Sequence, residues 1–381
     1  MRRRTFLSVG TGGVAAGLVS PSSRGAAAPA ANPAPPQRMA VRMKVGCQKG
    51  PATDEMLRFW ARHGVRHVCG TFGERGDGPY TVAELSGLRE RCEKLGISLD
   101  MVRLPFLRPS NVDQDRRAAI VLGESPARER DVEEIATTIR NCARVGIPGV
   151  TYNLTILGYQ RNRTVPGRGG ARNLAWRLHD EEMGKSGSPP GSPPPARTLT
   201  RAGRVPADVY WERITWFLDR IVPVATENKV RLACHPHDPP TPPGYRGVDA
   251  VLGTVEGLER FLSIRESPYH GLNFCLGTVA SMLRDPAREV FPVIRRFGAR
   301  KKIFNVHFRN IHGHRDDFEE RMPDDGDLDL LAVVKVLREV GYDQMLMPDH
   351  VPRDPADPDE RQAHAFCYGY IRGLLELASV A

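Results

Sequence analysis

The stretch that decides the fold is residues 303–310, which read IFNVHFRN. It begins with apolar and β-branched residues, as a buried strand does, and ends in the polar residues His307, Arg309 and Asn310. From Met43 onward the chain repeats this pattern, with a longer amphipathic stretch after each short apolar run. Such alternation is typical of βα units built around a parallel sheet.

Eight runs of this kind predict an α/β protein with a single closed (β/α)8 barrel, the TIM barrel. The predicted strands are residues 43–47, 65–69, 97–102, 149–153, 230–234, 272–275, 303–307 and 345–347. Between them, apolar residues recur at steps of three or four over residues 132–145 and 330–340. These stripes predict helices that face the core.

A Pro/Ser/Gly-rich segment interrupts the alternation after the fourth predicted strand. Residues 186–195 read SGSPPGSPPP and lie within a longer polar stretch, residues 161–204. Because this composition does not build a packed core, we predict an insertion that is a lid or a disordered segment. The barrel itself is predicted to be one catalytic domain over residues 41–381.

The first 40 residues differ in composition from the rest of the chain. They begin with three arginines followed by Thr5-Phe6-Leu7, continue through a weakly apolar stretch and end in an Ala/Pro run. This order predicts a twin-arginine-type signal peptide and an Ala/Pro-rich linker. The chain is therefore expected to be periplasmic or extracellular, or cytoplasmic if the signal is not used. No later stretch is apolar over the length that a membrane span needs.

The formal charge of +9 does not indicate a nucleic-acid partner. The arginines are scattered, several lie in the N-terminal segment, and no basic stripe is interleaved with aromatic residues. The charge favours anionic small molecules instead. The seven cysteines are odd in number and contain no CxxC pair, so they do not indicate a disulfide framework.

Four strand ends finish in side chains that can bind a metal: His235, Cys275, His307 and Asp349. Each interval between them holds one predicted helix and one predicted strand. In a barrel the C-terminal ends of the strands meet at one rim, so these four side chains are expected to meet there. Two imidazoles, a thiolate and a carboxylate suit Mn, Fe, Co or Zn better than Mg or Ca.

Other histidines offer a competing metal site. His235 and His237 could both face inward only if the strand continued through Pro236, which argues against it. His312 and His314 flank a glycine within a charged run, which favours solvated turn residues.

Around these residues the sequence resembles the mannonate dehydratase family, which belongs to the xylose-isomerase-like TIM barrels. The matching segments are TIRN (138–141), GI (146–147), VTYN (150–153), RT (163–164), FL (217–218), IVPVA (221–225), HPHDPP (235–240), FCLGT (274–278), VHFRNI (306–311) and PDH (348–350). They follow the family's order and cover about residues 121–370.

The resemblance implies a hydro-lyase of carbohydrate metabolism and hexuronate catabolism. Such an enzyme removes water from the sugar acid D-mannonate to give 2-keto-3-deoxy-D-gluconate. The resemblance also implies that His235, Cys275, His307 and Asp349 hold Mn²⁺ or Fe²⁺, and that His350 acts beside the metal as an acid or base.

The chemistry of this reaction suggests further roles. We assign Arg309 to the substrate carboxylate, because its planar fork can bind both oxygens, and Tyr152 or Tyr368 as the partner of His350 in proton transfer. The predicted substrate-binding residues are Asn153, His237, Asn310 and Thr278.

Several positions depart from the family's pattern. His237 stands where the family has Asp, and Thr278 stands where it has Ser. A family histidine falls near Pro323 here, and a late tyrosine falls near His364, with Tyr368 close by. With these departures, the sequence leaves open whether the substrate is D-mannonate or another sugar acid.

Two other functions are compatible with the same residues. One is a metal-dependent sugar isomerase or epimerase, whose site usually contains more carboxylate ligands than Asp349 alone. The other is an exported sugar-binding protein without catalysis. The sequence does not fix the oligomeric state and is compatible with a homo-oligomer.

Overall fold

The computed structural model describes residues 41–73, 78–182 and 198–380. The strands are β1 (Lys44–Cys47), β2 (His67–Gly70), β3 (Ser98–Arg103), β4 (Gly149–Asn153), β5 (Arg163–Pro166), β6 (Arg172–Arg177), β7 (Arg231–His235), β8 (His270–Cys275), β9 (Ile303–His307), β10 (Asn310–His314), β11 (Asp317–Arg321) and β12 (Met345–Met347). The helices are α1 (Asp54–Arg62), α2 (Val82–Glu93), α3 (Ala119–Leu122), α4 (Ala127–Val145), α5 (Leu178–Glu182), α6 (Ala207–Glu227), α7 (Val255–Ile264), α8 (Leu276–Ala280), α9 (Pro286–Ala299), α10 (Leu330–Glu339) and α11 (Arg361–Val380).

Eight of the strands close into a parallel barrel in the order β1-β12-β9-β8-β7-β4-β3-β2. Each predicted strand overlaps one of these eight, which confirms the predicted TIM barrel. The two predicted helical stripes are α4 and α10, and both turn their apolar residues inward. Helix α4 ends at Gly146, whose φ of 76° is left-handed and therefore suits glycine.

Inside the barrel a layer of side chains fills the space below the C-terminal strand ends. It forms a cluster separate from the main core and consists of Cys69, Met101, Ala233, Phe304, Met345 and Met347. These residues come from five strands and alternate along them with residues that pack against the helices. Because this layer fills the barrel below them, the C-terminal strand ends form the floor of the site.

The prediction for residues 161–204 was wrong for part of that stretch. Strands β5 and β6 pair with β10 and β11 in a second, antiparallel sheet in the order β10-β11-β6-β5. Trp176 on β6 is fully buried and lies opposite Phe318 on β11. The few apolar residues of β5 and β6 are enough for a packed core because β10 and β11, from a distant part of the chain, supply the rest of it. The SGSPPGSPPP segment lies outside the described residues, so its role as a lid stays a prediction.

His312 and His314 lie on β10 and not in a turn, which corrects the prediction for them, although both side chains are exposed. Among the described helices, none is both long and apolar enough to cross a membrane. The predicted signal peptide and linker, residues 1–40, also lie outside the described residues. The domain boundary at residue 41 stays a prediction.

Candidate active site

The four predicted metal ligands meet at the C-terminal mouth of the barrel. Donor atoms of His235, Cys275, His307 and Asp349 all lie within 4.8 Å of one another. The barrel order explains this, because β7, β8, β9 and β12 are consecutive neighbours. Cys275 lies directly opposite His307 in the strand register, and Asp349 follows the end of β12.

Hydrogen bonds on the outer side of each imidazole fix which nitrogen faces the group. His235 Nδ1 lies 2.7 Å from the Pro236 carbonyl oxygen and donates to it, which leaves Nε2 as the lone-pair nitrogen. His307 Nε2 donates to Gln48 Oε1 at 2.8 Å, so its Nδ1 faces the group, 3.4 Å from Asp349 Oδ1. His307 Nδ1 is buried and has no hydrogen bond to any described residue. Metal-binding histidines usually have such an outer partner.

The two acidic members of the group are held in their charged forms. Burial raises the pKa of the Cys275 thiol, but the positive charge of Arg309 outweighs it and holds that pKa well below its usual value. Burial also raises the pKa of Asp349, and nearby positive charges hold it well below its usual range. A thiolate, a carboxylate and two imidazoles, whose donor atoms lie within 4.8 Å of one another, fit a divalent cation.

A cavity of about 250 Å³ opens above this group. His235, His307 and Asp349 line one side of it, and Arg103 and Asn153 also line it, from the ends of β3 and β4. The cavity therefore brings the metal-binding group and other strand-end side chains to one space, as a barrel active site requires.

His350 lies at the edge of this cavity and is held there by two residues. Its Nδ1 is 2.9 Å from Glu320 Oε1, and its ring packs edge-on against Tyr159 with 4.3 Å between centroids. Its Nε2 lies 3.7 Å from Asp349 Oδ1. Glu320 thus fixes the ring by accepting a hydrogen bond from Nδ1. The Nε2 edge of the ring is directed toward the four predicted metal ligands.

Behind His350, two carboxylates and two guanidinium groups form a buried charge network. Arg161 bridges Glu320 and Asp238 at 2.7 and 2.8 Å. Arg309 also bridges them, with 2.9 Å to Asp238 and a short contact to Glu320. Burial raises the pKa of both carboxyls, but it is outweighed by the two arginines at Asp238, and by His350 and the two arginines at Glu320, so both pKa values stay below the usual range. Because two positive charges already balance two negative ones, Asp238, Glu320 and His350 make an unsuitable metal site.

Arg309 does not occupy the place predicted for it. Its side chain is fully buried, does not line the cavity, and also donates to Thr278 Oγ1 at 3.0 Å and Cys275 Sγ at 3.4 Å. Because both of its terminal nitrogens donate to buried protein groups, it is not free to hold a substrate carboxylate. It acts on the site by stabilising the negative charge of the Cys275 thiolate.

The predicted tyrosines also lie away from the cavity. Tyr152 is on β4, where Thr151 and Asn153 line the cavity, so its side chain points to the other face and packs against Phe217. Tyr368 on α11 donates to Cys47 Sγ at 2.9 Å in the core. Neither hydroxyl is placed to exchange a proton with His350.

Of the four predicted substrate-binding residues, the structure places only Asn153 in this cavity. The other three bind protein groups. His237 Nε2 lies 2.8 Å from the Leu154 carbonyl oxygen, and burial lowers its pKa to about 4. Asn310 donates to the carbonyl of Pro323 at 3.0 Å, and Thr278 accepts from Arg309. Their side chains shape the walls around the site.

Several cavity residues were missed by the sequence analysis. Gln48, Arg103 and Asn273 lie at or near the ends of β1, β3 and β8, and the rule that found the metal ligands would have found them had it not been restricted to metal-binding side chains. Tyr159 and Glu320 lie outside the barrel strands, so strand-end position gives no signal for them.

The comparisons with known proteins agree with this geometry. Residues 196–381 match the model of the family described as D-mannonate dehydratase (UxuA). The mannonate dehydratase of Thermotoga petrophila is 29% identical over 312 residues, which covers 75% of this chain and 82% of the relative. The relative of the same name from Thermotoga maritima is 29% identical over 291 residues, 70% of this chain and 76% of its own length.

Two solved structures show the same fold. The mannonate dehydratase from Streptococcus suis serotype2 superposes with a TM-score of 0.71 at 24% identity, and the match covers 88% of this chain and 95% of that chain. The 3-keto-D-glucoside 4-epimerase from E. coli gives a TM-score of 0.53 at 15% identity, with 87% and 99% covered.

These comparisons overturn the predicted export. The relatives are mannonate dehydratases, and neither they nor the family match, which begins at residue 196, support a signal peptide in residues 1–40. The prediction of a periplasmic or extracellular chain was therefore wrong.

Proposed function

The chain belongs to the mannonate dehydratase family as a divergent member, and we propose that it is a metal-dependent hydro-lyase acting on a sugar acid. The proposed reaction converts D-mannonate to 2-keto-3-deoxy-D-gluconate and water. The observation that carries the proposal is the four-ligand group at the barrel mouth, in a chain whose C-terminal half matches this family.

We propose His235, Cys275, His307 and Asp349 as ligands of Mn²⁺ or Fe²⁺. When bound, such an ion supplies Lewis acidity to the carboxylate and the adjacent hydroxyl of the substrate, where negative charge develops. Gln48 supports the set from outside, since it accepts from His307 Nε2 and donates to Asp349 Oδ1 at 3.2 Å. Its amide holds two ligands in one orientation.

His350 is our proposed proton-transfer residue. Dehydration of a 2,3-dihydroxy acid removes the proton at C2 and expels the hydroxyl at C3. An imidazole at the cavity edge, with Nδ1 fixed by Glu320, offers Nε2 for one of these transfers. Tyr152 and Tyr368 are not retained as its partners, because their hydroxyl groups lie outside the cavity.

The composition of the ligand group supports a lyase over the isomerase alternative. Sugar isomerase and epimerase barrels usually bind their metal with several carboxylates, whereas this group holds one carboxylate and a thiolate. A complete set of four donors at the barrel mouth also supports an enzyme over a binding protein without catalysis.

A direct assay tests the proposal. The purified protein, loaded anaerobically with Mn²⁺ or Fe²⁺, is incubated with D-mannonate and with a panel of other aldonic acids, and the products are identified by NMR. We expect a 2-keto-3-deoxy acid that forms only with metal present. Isomerised sugar without loss of water, or no turnover of any acid by metal-loaded protein, would contradict the proposal.

A further inference from the structure

The cavity contains one guanidinium group, that of Arg103, for which no described residue supplies a partner. An acid substrate brings a carboxylate into the barrel mouth, and its charge must be neutralised there. Arg309 and Arg161 lie behind the cavity and are committed to Asp238 and Glu320. Neither can turn toward a substrate without leaving a buried carboxylate unpaired.

The remaining cations that line the cavity are Lys49 and Arg103, besides the histidines. Lys49 forms an ion pair with Glu360 at the cavity wall. Arg103, by contrast, forms no hydrogen bond or ion pair with any described residue, although its side chain is half-buried. A half-buried guanidinium group in a cavity, with five donors unused within the described chain, is suited to bind an anion.

Its position in the barrel places Arg103 across from the metal-binding group. Arg103 is the last residue of β3, and the order of the closed sheet puts β3 four strands from β9 in either direction. The side chain therefore reaches the mouth from the wall opposite His307. An eight-stranded barrel is only wide enough for side chains to meet at its centre, so one carboxylate can contact both sides.

We propose that Arg103 binds the substrate carboxylate and makes the site select sugar acids over neutral polyols. The identity of the acid rests on the proposed function. The planar fork of Arg103 meets both carboxylate oxygens, and Asn153 on the neighbouring strand β4 supplies an amide beside it. This role replaces the one that the sequence predicted for Arg309.

The test compares binding of the acid with binding of its neutral analogue. Metal-loaded wild-type protein and Arg103→Gln are titrated calorimetrically with D-mannonate and with D-mannitol, which has the same chain length and no carboxylate. We expect the variant to bind the acid roughly 10- to 100-fold more weakly, as for loss of hydrogen bonds between charged groups, with no change for D-mannitol. Arg103→Lys keeps the charge without the fork and should lie between the two.

Arg108→Gln is the matched control. It removes the same charge five residues further on, where the side chain is exposed and does not line the cavity. Acid binding should not change in this variant. Metal content and the thermal midpoint, measured for every variant, should also stay at the wild-type level, because Arg103 has no partner in the described part of the fold.

The outcomes separate this inference from the proposed function. Undiminished acid binding by Arg103→Gln overturns the role of Arg103, whether or not the wild type turns over substrate. A selective loss of acid binding in a protein that forms no 2-keto-3-deoxy acid supports Arg103 and contradicts the lyase. A wild-type protein that does not bind the acid at all contradicts both.

Discussion

His350 and Glu320 form a hydrogen bond between a barrel loop and the second sheet, with 2.9 Å from Nδ1 to Oε1. Glu320 thereby fixes the orientation of the proposed proton-transfer group. We expect Glu320→Gln to lower kcat by about 10- to 100-fold, the usual effect of losing an orienting partner, with a smaller change in KM.

The adjacent variant Glu319→Gln is the control for this prediction, because Glu319 pairs with Arg177 and Arg321 and lies outside the cavity. Thermal unfolding must accompany the kinetics, since removing the Glu320 charge leaves buried arginines less well paired and lowers stability. Equal kcat values for Glu320→Gln and the wild type would rule out the orienting role.

Removal of a proposed metal ligand should remove the metal. We expect His235→Ala and Cys275→Ala to lose bound Mn²⁺ or Fe²⁺, as measured by elemental analysis after gel filtration, and to lose activity with it. Cys92→Ala, at a buried cysteine of α2 outside the site, should keep both. A full complement of metal in Cys275→Ala would exclude the thiolate as a ligand.

Gln48 should affect metal affinity although it is not itself a proposed ligand. We expect Gln48→Ala to weaken metal binding by about 10- to 100-fold, because His307 and Asp349 both lose the amide that orients them. Competition with a chelator of known affinity measures this change. The exposed Gln114→Ala gives the baseline, and an affinity equal to that baseline would contradict the supporting role of Gln48.

His270 should make stability depend on pH. Burial at the start of β8 lowers its pKa to about 4, below the ordinary value of 6.5. Between these values the unfolded chain binds the proton and the folded chain does not. The free energy of unfolding is therefore at its full value above pH 6.5. It falls by about 3 kcal/mol in all as the pH is lowered to 4.

Urea unfolding at several pH values measures this dependence. His270→Gln should reduce the loss of stability between pH 6.5 and 4, whereas His314→Gln, at an exposed site on β10, should leave it unchanged. A wild-type slope that persists in His270→Gln would assign the pH dependence to other groups.

The barrel and its proposed ligands could be predicted because both depend on short stretches of sequence. A strand such as residues 303–307 is recognisable from its own residues, and a barrel brings successive strand ends together whatever their detailed packing. The second sheet could not be predicted in the same way. Strand β6 pairs with β11, about 140 residues further along the chain, and neither strand has a strong pattern of its own.

The errors within the site have two physical causes. Arg309 was assigned to substrate because nothing in the sequence marks its buried partners, Asp238 71 residues before it and Glu320 11 residues after it. Tyr152 could have been excluded earlier, since a strand that turns Asn153 inward must turn the preceding residue outward.

The two sheets divide the proposed chemistry between them. The barrel strand ends carry the proposed metal ligands, whereas the second sheet carries Glu320, which contacts His350 and Tyr159 at the cavity edge. Substitutions in the second sheet that move Glu320 can therefore change the proposed proton transfer while the proposed ligands stay in place. In a chain built in this way, the proposed proton-transfer group and the proposed metal ligands can be altered separately, by substitutions in different layers of the fold.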